Sequence, residues 1–190
     1  MQTSIDLPVS TPINRVIQSS EFYEAAIAVD ETVISNYWYL GLSYLLSERE
    51  DDAQAAWYVP LAAADEQESD LYTNQLVTIL EQAAIDQSNT LNLESSWLIR
   101  QHLWLIAPDR LENVLELVIL DCELGKITSA SLIDRQVYEL LEIATVGNID
   151  EDLLERLLRA LIDVHTELSI KTIRLCFNLQ IGRASCRERV

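Results

Sequence analysis

The chain has 190 residues, of which 49% are hydrophobic, and it contains only 4 glycines and 4 prolines. This composition leaves too few turn residues for many short strands and favours an all-α fold. The formal net charge of −18 argues against nucleic acid and anionic membranes as partners, because both select a basic surface, and the sequence has no run of about 18 uncharged apolar residues that would predict a membrane span.

The cysteines predict a reducing, cytoplasmic compartment. Cys122, Cys176 and Cys186 stand far apart, without metal-binding spacing and without the even number that a disulfide framework needs. The N-terminal residues lack a basic region followed by an apolar run, so no secretory signal is predicted.

An extended arm is predicted to precede the first helix. Residues 1–16 contain Pro8 and Pro12, which restrict the backbone away from helical angles. Apolar residues at helical spacing then predict three helices, over about 16–30, 35–47 and 51–63.

The stretch YWYLGLSYLLSEREDDAQAAW carries the most specific pattern in the chain. Its aromatic, small and apolar residues have the spacing of one tetratricopeptide hairpin at Tyr37, Leu40, Gly41, Tyr44, Ala53 and Trp57. The small residues stand where two helices come close, and the aromatic rings fill the space beside them. About one repeat length before Trp57, Tyr23 and Ala26 resemble the second helix of a preceding repeat.

Two positions depart from the tetratricopeptide pattern. Pro60 stands where a small residue is usual, and Asp65 stands where the pattern has a helix-ending proline. The resemblance therefore implies one and a half repeat units over residues 17–64, followed by degenerate helical hairpins over residues 65–180.

Three helices are predicted next along the chain. The acidic segment DEQESD begins a long helix that ends near Ser88, and Ala107-Pro108 closes the helix LESSWLIRQHLWLI. The apolar stripe of that second helix is predicted to contain Trp97, Leu98, Leu105 and Ile106, with His102 on its edge. Gly125 is predicted as the left-handed cap of the helix that follows.

The last third of the chain has weaker signals. A helix is predicted over about residues 129–144, and Asp150 is predicted to cap the leucine-rich helix after it. The segment SIKTIRLCFNLQ is predicted to be the first helix of another hairpin. The tail IGRASCRERV, residues 181–190, resembles translated vector or adapter sequence, so we expect the chain to be an N-terminal part of a longer protein.

No catalytic residue, cofactor or metal ligand is predicted. His102 and His165 lie on separate predicted helices, and the acidic clusters stand at helix starts, where they complement the helix dipole. No glycine-rich phosphate-binding motif occurs. Cys122 follows an apolar run and is predicted to be a small buried side chain.

Two groups of residues are candidates for binding a peptide. Trp38, Tyr39 and Ser43 stand beside the hairpin positions of a helix that, in repeat proteins, lines a concave groove. Arg100 and Gln101 form the second, polar group. For the aromatic residues, packing in the core is the main interpretation, and contact with a peptide is the alternative.

The segments YWYLGLSYLL and SSWLIRQHLWLIAP, in this order, resemble the N-terminal helical region of large cyanobacterial proteins. Those proteins carry a SPINDLY-type O-linked N-acetylglucosamine transferase-like domain or an FkbM-type methyltransferase domain. The resemblance covers about residues 17–180. It implies that the chain belongs to a longer enzyme, a glycosyltransferase in the first place and a methyltransferase as the alternative, whose catalytic domain lies outside this chain.

Together these patterns predict an all-α array of about nine helices, stacked as a short solenoid of tetratricopeptide-like hairpins. The expected function is that of a protein–protein interaction scaffold whose partner is a protein or peptide. Two alternatives stay open, an accessory arm that docks on its own catalytic domain and a self-associating helical adaptor.

Overall fold

A computed structural model describes residues 19–127 and 150–164 of the chain. Every regular element in these two ranges is an α-helix, which confirms the all-α prediction. The helices of the described residues are α1 (Ser20–Val29), α2 (Ile34–Leu46), α3 (Glu50–Ala63), α4 (Glu66–Asn89), α5 (Leu93–Ile106), α6 (Leu111–Glu123) and α7 (Glu151–Val164).

Several predicted elements lie outside the described residues. These are the arm over 1–16, the helix over 129–144, the segment SIKTIRLCFNLQ and the tail over 181–190. The expected total of about nine helices, and their stacking as tetratricopeptide-like hairpins, therefore stay predictions. None of the helices in the two described ranges has the length and apolarity that crossing a membrane requires.

The chain divides into two compact units, Met1–Ala56 and Trp57–Val190, and the division falls within α3. In the first unit α1 packs against α2, because Tyr23 and Ile27 stand four residues apart on one face of α1. Tyr23, Leu40 and Ala56 form the buried cluster, and the Tyr23 ring stacks on Tyr39 with 5.7 Å between ring centroids.

Asp65 has a local structural role that explains its departure from the repeat pattern. It is the N-cap of α4, and its Oδ1 accepts hydrogen bonds from the backbone N–H groups of Gln67 at 3.0 Å and Glu68 at 2.9 Å. The Glu68 side chain in turn accepts from the Asp65 backbone N–H, which completes a capping box. The prediction that DEQESD begins a helix is confirmed.

In the second unit α5 packs against both α4 and α6, and α7 packs against α6. Ser96 on α5 donates a hydrogen bond to the Ala84 carbonyl on α4 at 2.9 Å. The core between α6 and α7 is formed by Val114, Leu115, Val118, Ile119, Leu153, Leu154 and Leu157. A bidentate ion pair between Arg156 and Glu116, at 2.7 and 3.0 Å, joins the same two helices at their edge.

The predicted apolar stripe of α5 is wrong in part. The buried residues are Ser96, Ile99, Arg100, His102 and Leu103, whereas Leu105 is exposed. Because α5 packs against both α4 and α6, and its His102 also meets Trp57 of α3, its buried surface is wider than a single stripe and differs from the predicted one.

The caps predicted at Gly125 and Asp150 are both present. Gly125 has φ +64°, and the Lys126 and Gly125 N–H groups donate to the carbonyls of Asp121 and Cys122, the pattern of a Schellman motif. At the start of α7, Asp150 Oδ1 accepts from the Asp152 N–H at 3.2 Å. Both signals depend only on a few neighbouring residues.

Gly41 is buried in α2, so Gly41→Leu is expected to overpack its surroundings. The free energy of unfolding should fall by roughly 1–3 kcal/mol, measured by denaturant unfolding. Ser35→Leu, at an exposed position of the same helix, is the matched control and should change stability little. If Gly41→Leu unfolds at the same denaturant concentration as the unmutated chain, the helices do not pack closely at Gly41 and the predicted hairpin is wrong.

Asp65→Ala should lower the free energy of unfolding by about 1 kcal/mol, because two backbone N–H groups lose their acceptor. Asp70→Ala removes the same charge from an exposed position on the first turns of α4 and should be close to neutral. Equal losses in the two variants, measured by thermal and denaturant unfolding, would assign the effect to charge instead of to the cap.

Candidate functional site

The six hairpin positions are buried or partly buried, as their structural role requires. Leu40, Gly41, Ala53 and Trp57 are buried, and Tyr37 and Tyr44 are partly buried. Their counterparts on α1, Tyr23 and Ala26, are respectively buried and partly buried. These residues therefore build the helix packing and are not open to a ligand.

The interpretation of Trp38 and Ser43 as peptide contacts is wrong. The Trp38 side chain is 0% exposed, and Ser43 is also buried. The reason is that α2 buries residues on more than one face, since Leu42 and Leu45 lie in the core as well. Tyr39 is partly buried and is held by its stacking on Tyr23.

Arg100 is also buried, at 6% exposure, so it cannot contact a peptide on the surface. Its Nη1 donates to Asn113 Oδ1 at 3.3 Å, and Asn113 Nδ2 donates back to the Arg100 carbonyl at 3.1 Å. The Nε atom of Arg100 is buried without a hydrogen-bond partner. Gln101 beside it is partly buried, and its assignment stays a prediction.

Burial lowers the pKa of the Arg100 guanidinium below its ordinary value, while the charges of Glu116 and Glu81 act in the opposite direction. Both carboxylates lie close to other arginines, Glu116 to Arg156 and Glu81 to Arg110 at 3.6 Å. The charged form of Arg100 is therefore stabilised by the carboxylates of Glu116 and Glu81 at a distance and by the side-chain amide of Asn113. This arrangement fixes how α5 lies on α6.

A second polar group links α1, α2 and α3 in the first unit. The Tyr44 hydroxyl donates to Glu24 Oε1 at 2.6 Å, and the Arg49 guanidinium lies 4.1 Å from the centre of the Tyr44 ring. Arg49 Nε also donates to Asp52 Oδ2 at 2.7 Å. The hydrogen bond to Glu24 raises the pKa of Tyr44, so the phenol stays protonated and is unsuited to act as a base.

The remaining candidates for chemistry also have structural surroundings. His102 is buried, not at the edge as predicted, and its ring meets Trp57 edge-on at 5.9 Å. Burial raises the pKa of the Cys122 thiol to about 12, and the neighbouring Asp121 and Glu123 act in the same direction. The thiol is therefore protonated and unreactive near neutral pH. His165 lies outside the described residues, within which no group of side chains could hold a metal ion.

Two groups of exposed residues are apolar and were not among the candidates for binding a peptide. On α1, Phe22 and Val29 are 55% and 88% exposed, and Ala25 between them is exposed too; we name these three residues the α1 stripe. On α3, Tyr58 and Val59 are 69% and 50% exposed and stand next to exposed Ala62; we name these the α3 face.

A signal for both surfaces was present in the sequence. Between Ala53 and Ala63, α3 has a single polar residue, Gln54, so the helix is apolar on all sides. In α1, apolar residues likewise occupy the side opposite Tyr23 and Ile27. An apolar side of a helix is normally covered by a neighbour, and here one apolar side of each helix is open to solvent.

Asn113→Ala should destabilise the protein by roughly 1–3 kcal/mol, because it leaves the buried Arg100 guanidinium without its amide acceptor. Arg100→Met removes the charge and keeps most of the side chain's packing, so it should cost less than Asn113→Ala. Denaturant unfolding of both variants checks this order. The reverse order would mean that the guanidinium contributes stabilisation beyond the Asn113 contact.

Comparison of the chain with protein-family models, with curated proteins and with solved structures finds no match. The candidate surfaces therefore rest on the sequence and on the geometry of the described residues.

Proposed function

We propose that this chain is a helical interaction module that binds another polypeptide. The observation that carries the proposal is the α3 face. Tyr58 and Val59 lie in solvent on a helix whose Trp57 and Pro60 are buried. Contiguous apolar groups on a helix surface are typical of sites that a partner covers.

The composition of the α3 face supports a protein partner. Tyrosine is enriched at the centres of protein interfaces, because it gives a large contact area with few rotatable bonds and a hydroxyl that hydrogen-bonds at the rim. The net charge of −18 favours a partner with basic or polar surface. It disfavours nucleic acid and anionic membranes.

The finer parts of the proposal rest on the sequence resemblance. We propose tetratricopeptide-like hairpins in a short solenoid of about nine helices, located in the cytoplasm. The burial of the hairpin positions Gly41, Ala53 and Trp57 supports this arrangement. The segments YWYLGLSYLL and SSWLIRQHLWLIAP support a larger parent protein, preferably a glycosyltransferase and otherwise a methyltransferase.

The test is a pull-down from the source cells with the parent chain and two groups of variants. Tyr58→Glu and Val59→Glu place a charge on the α3 face and should lower retention of the partner about tenfold or more. Leu105→Glu makes the same change at another exposed apolar position, on α5, and should retain the partner. Circular dichroism confirms that all variants are folded.

Three outcomes would count against the proposal in different ways. Equal retention by Tyr58→Glu, Val59→Glu and the parent would remove the α3 face from the site. If the unmutated chain retains no partner, a recruiting role is contradicted. If the chain binds tightly only to a catalytic domain of the longer protein to which it is proposed to belong, its function is that of an accessory arm and not of a recruiting module.

A further inference from the structure

The two sides of α1 are both apolar, although only one of them is packed. Tyr23 and Ile27 lie against Leu40 and Ala56. Phe22, Ala25 and Val29, at steps of three and four residues, form the α1 stripe on the other side and are exposed. The stripe is about 10 Å long, the length of two helical turns.

The first residue of the stripe is held in place by aromatic contacts. The Phe22 ring meets the Tyr23 ring edge-on, with 5.3 Å between centroids and 84° between planes. Tyr23 in turn stacks on Tyr39 at 5.7 Å. The Phe22 ring is already oriented by the buried Tyr23 ring. Phe22 therefore loses less conformational freedom when a partner covers it than an unsupported side chain would lose.

The surroundings of the stripe are negatively charged. Residues 19–33 contain no basic residue and four acidic ones, Glu21, Glu24, Asp30 and Glu31, all exposed. Arg49 is the only basic residue between 19 and 56, and it is held by Asp52 at 2.7 Å and by the Tyr44 ring. Arg49 also acts at a distance on Glu21 and Glu24, but this one cation leaves the range with a net negative charge.

The negative charge around the α1 stripe favours some binding partners over others. A second copy of the chain would bring the same acidic residues against these, which is unfavourable at short range. A basic segment would gain from the field both on approach and in the complex. A helix is the matching shape, since its apolar ridge fits beside a ridge with the same spacing.

We propose that the α1 stripe binds an amphipathic helix with basic flanks. The helix has apolar residues at steps of three and four, which cover Phe22, Ala25 and Val29, and lysine or arginine beside them, which face the acidic residues of the 19–33 segment. The proposal rests on the proposed function in that the chain is a polypeptide-binding module. It uses a surface distinct from the α3 face.

The experiment uses the full chain and three synthetic peptides of about 15 residues. The first has leucines at helical spacing and lysines elsewhere, the second has the same composition with scrambled leucines, and the third replaces lysine with glutamate. Fluorescence anisotropy should detect tight binding of the first peptide alone. Raising the salt from about 0.05 to 0.5 M should weaken it, because screening reduces the attraction.

Variants locate the binding. Phe22→Ser and Val29→Ser should lower the affinity for the first peptide about tenfold or more, because each removes an apolar contact. Leu105→Ser, the same change at an exposed position on α5, should leave the affinity unchanged. All three positions are exposed, so the variants should fold like the parent.

Several results would overturn the proposal. The scrambled or glutamate peptide could bind as tightly as the first peptide, or the Phe22→Ser variant could bind the first peptide as tightly as the unmutated chain does. The chain could also form dimers that Phe22→Ser abolishes. A photoreactive benzoylphenylalanine in place of Phe22 that cross-links to residues 1–18 of its own chain would identify that segment as the occupant. If these occur while Tyr58→Glu still releases the cellular partner, the proposed function stands and only the α1 assignment fails.

Discussion

Apolar side chains on more than one face of α2 and α6 are the constraint on which the rest of the structure depends. On α2, Trp38, Leu42 and Leu45 are buried in addition to the hairpin positions. In α6, every residue from Asn113 to Asp121 except Glu116 is buried. Such helices are stable in water only when neighbours cover them on several sides. The layered packing of α4, α5, α6 and α7 in the second unit follows from this requirement.

Polar groups in the described residues mostly fix helix ends and helix pairs. Asp65 starts α4, Gly125 ends α6, and the Arg156–Glu116 pair holds α7 beside α6. The exchange of hydrogen bonds between Arg100 and Asn113 does the same for α5 and α6 in a buried place, where an unpaired group is costly. The Tyr44 hydroxyl and the Cys122 thiol are both protonated near neutral pH, because the pKa of each group is raised.

The same constraint leads to the proposed binding surfaces. Where an apolar side of a helix is open to solvent, as at Phe22 and Val29 or at Tyr58 and Val59, the exposed groups are available to a partner. The acidic residues around the α1 stripe then favour a basic segment over a second copy of the chain. Apolar contact area and charge act together here, the first for affinity and the second for the choice of partner.

The helical class and most helix ends could be predicted from the sequence, because these depend on a few adjacent residues. The caps at Asp65, Gly125 and Asp150 are examples. Which helix faces are covered could not be predicted in this way, because it depends on the packing of the folded chain. Trp38 and Arg100 were among the candidates for peptide contact and are buried, whereas Phe22 and Leu105 are exposed. When a helix has apolar residues on several faces, its pattern cannot indicate which face meets a neighbour, since that depends on residues far away in the chain.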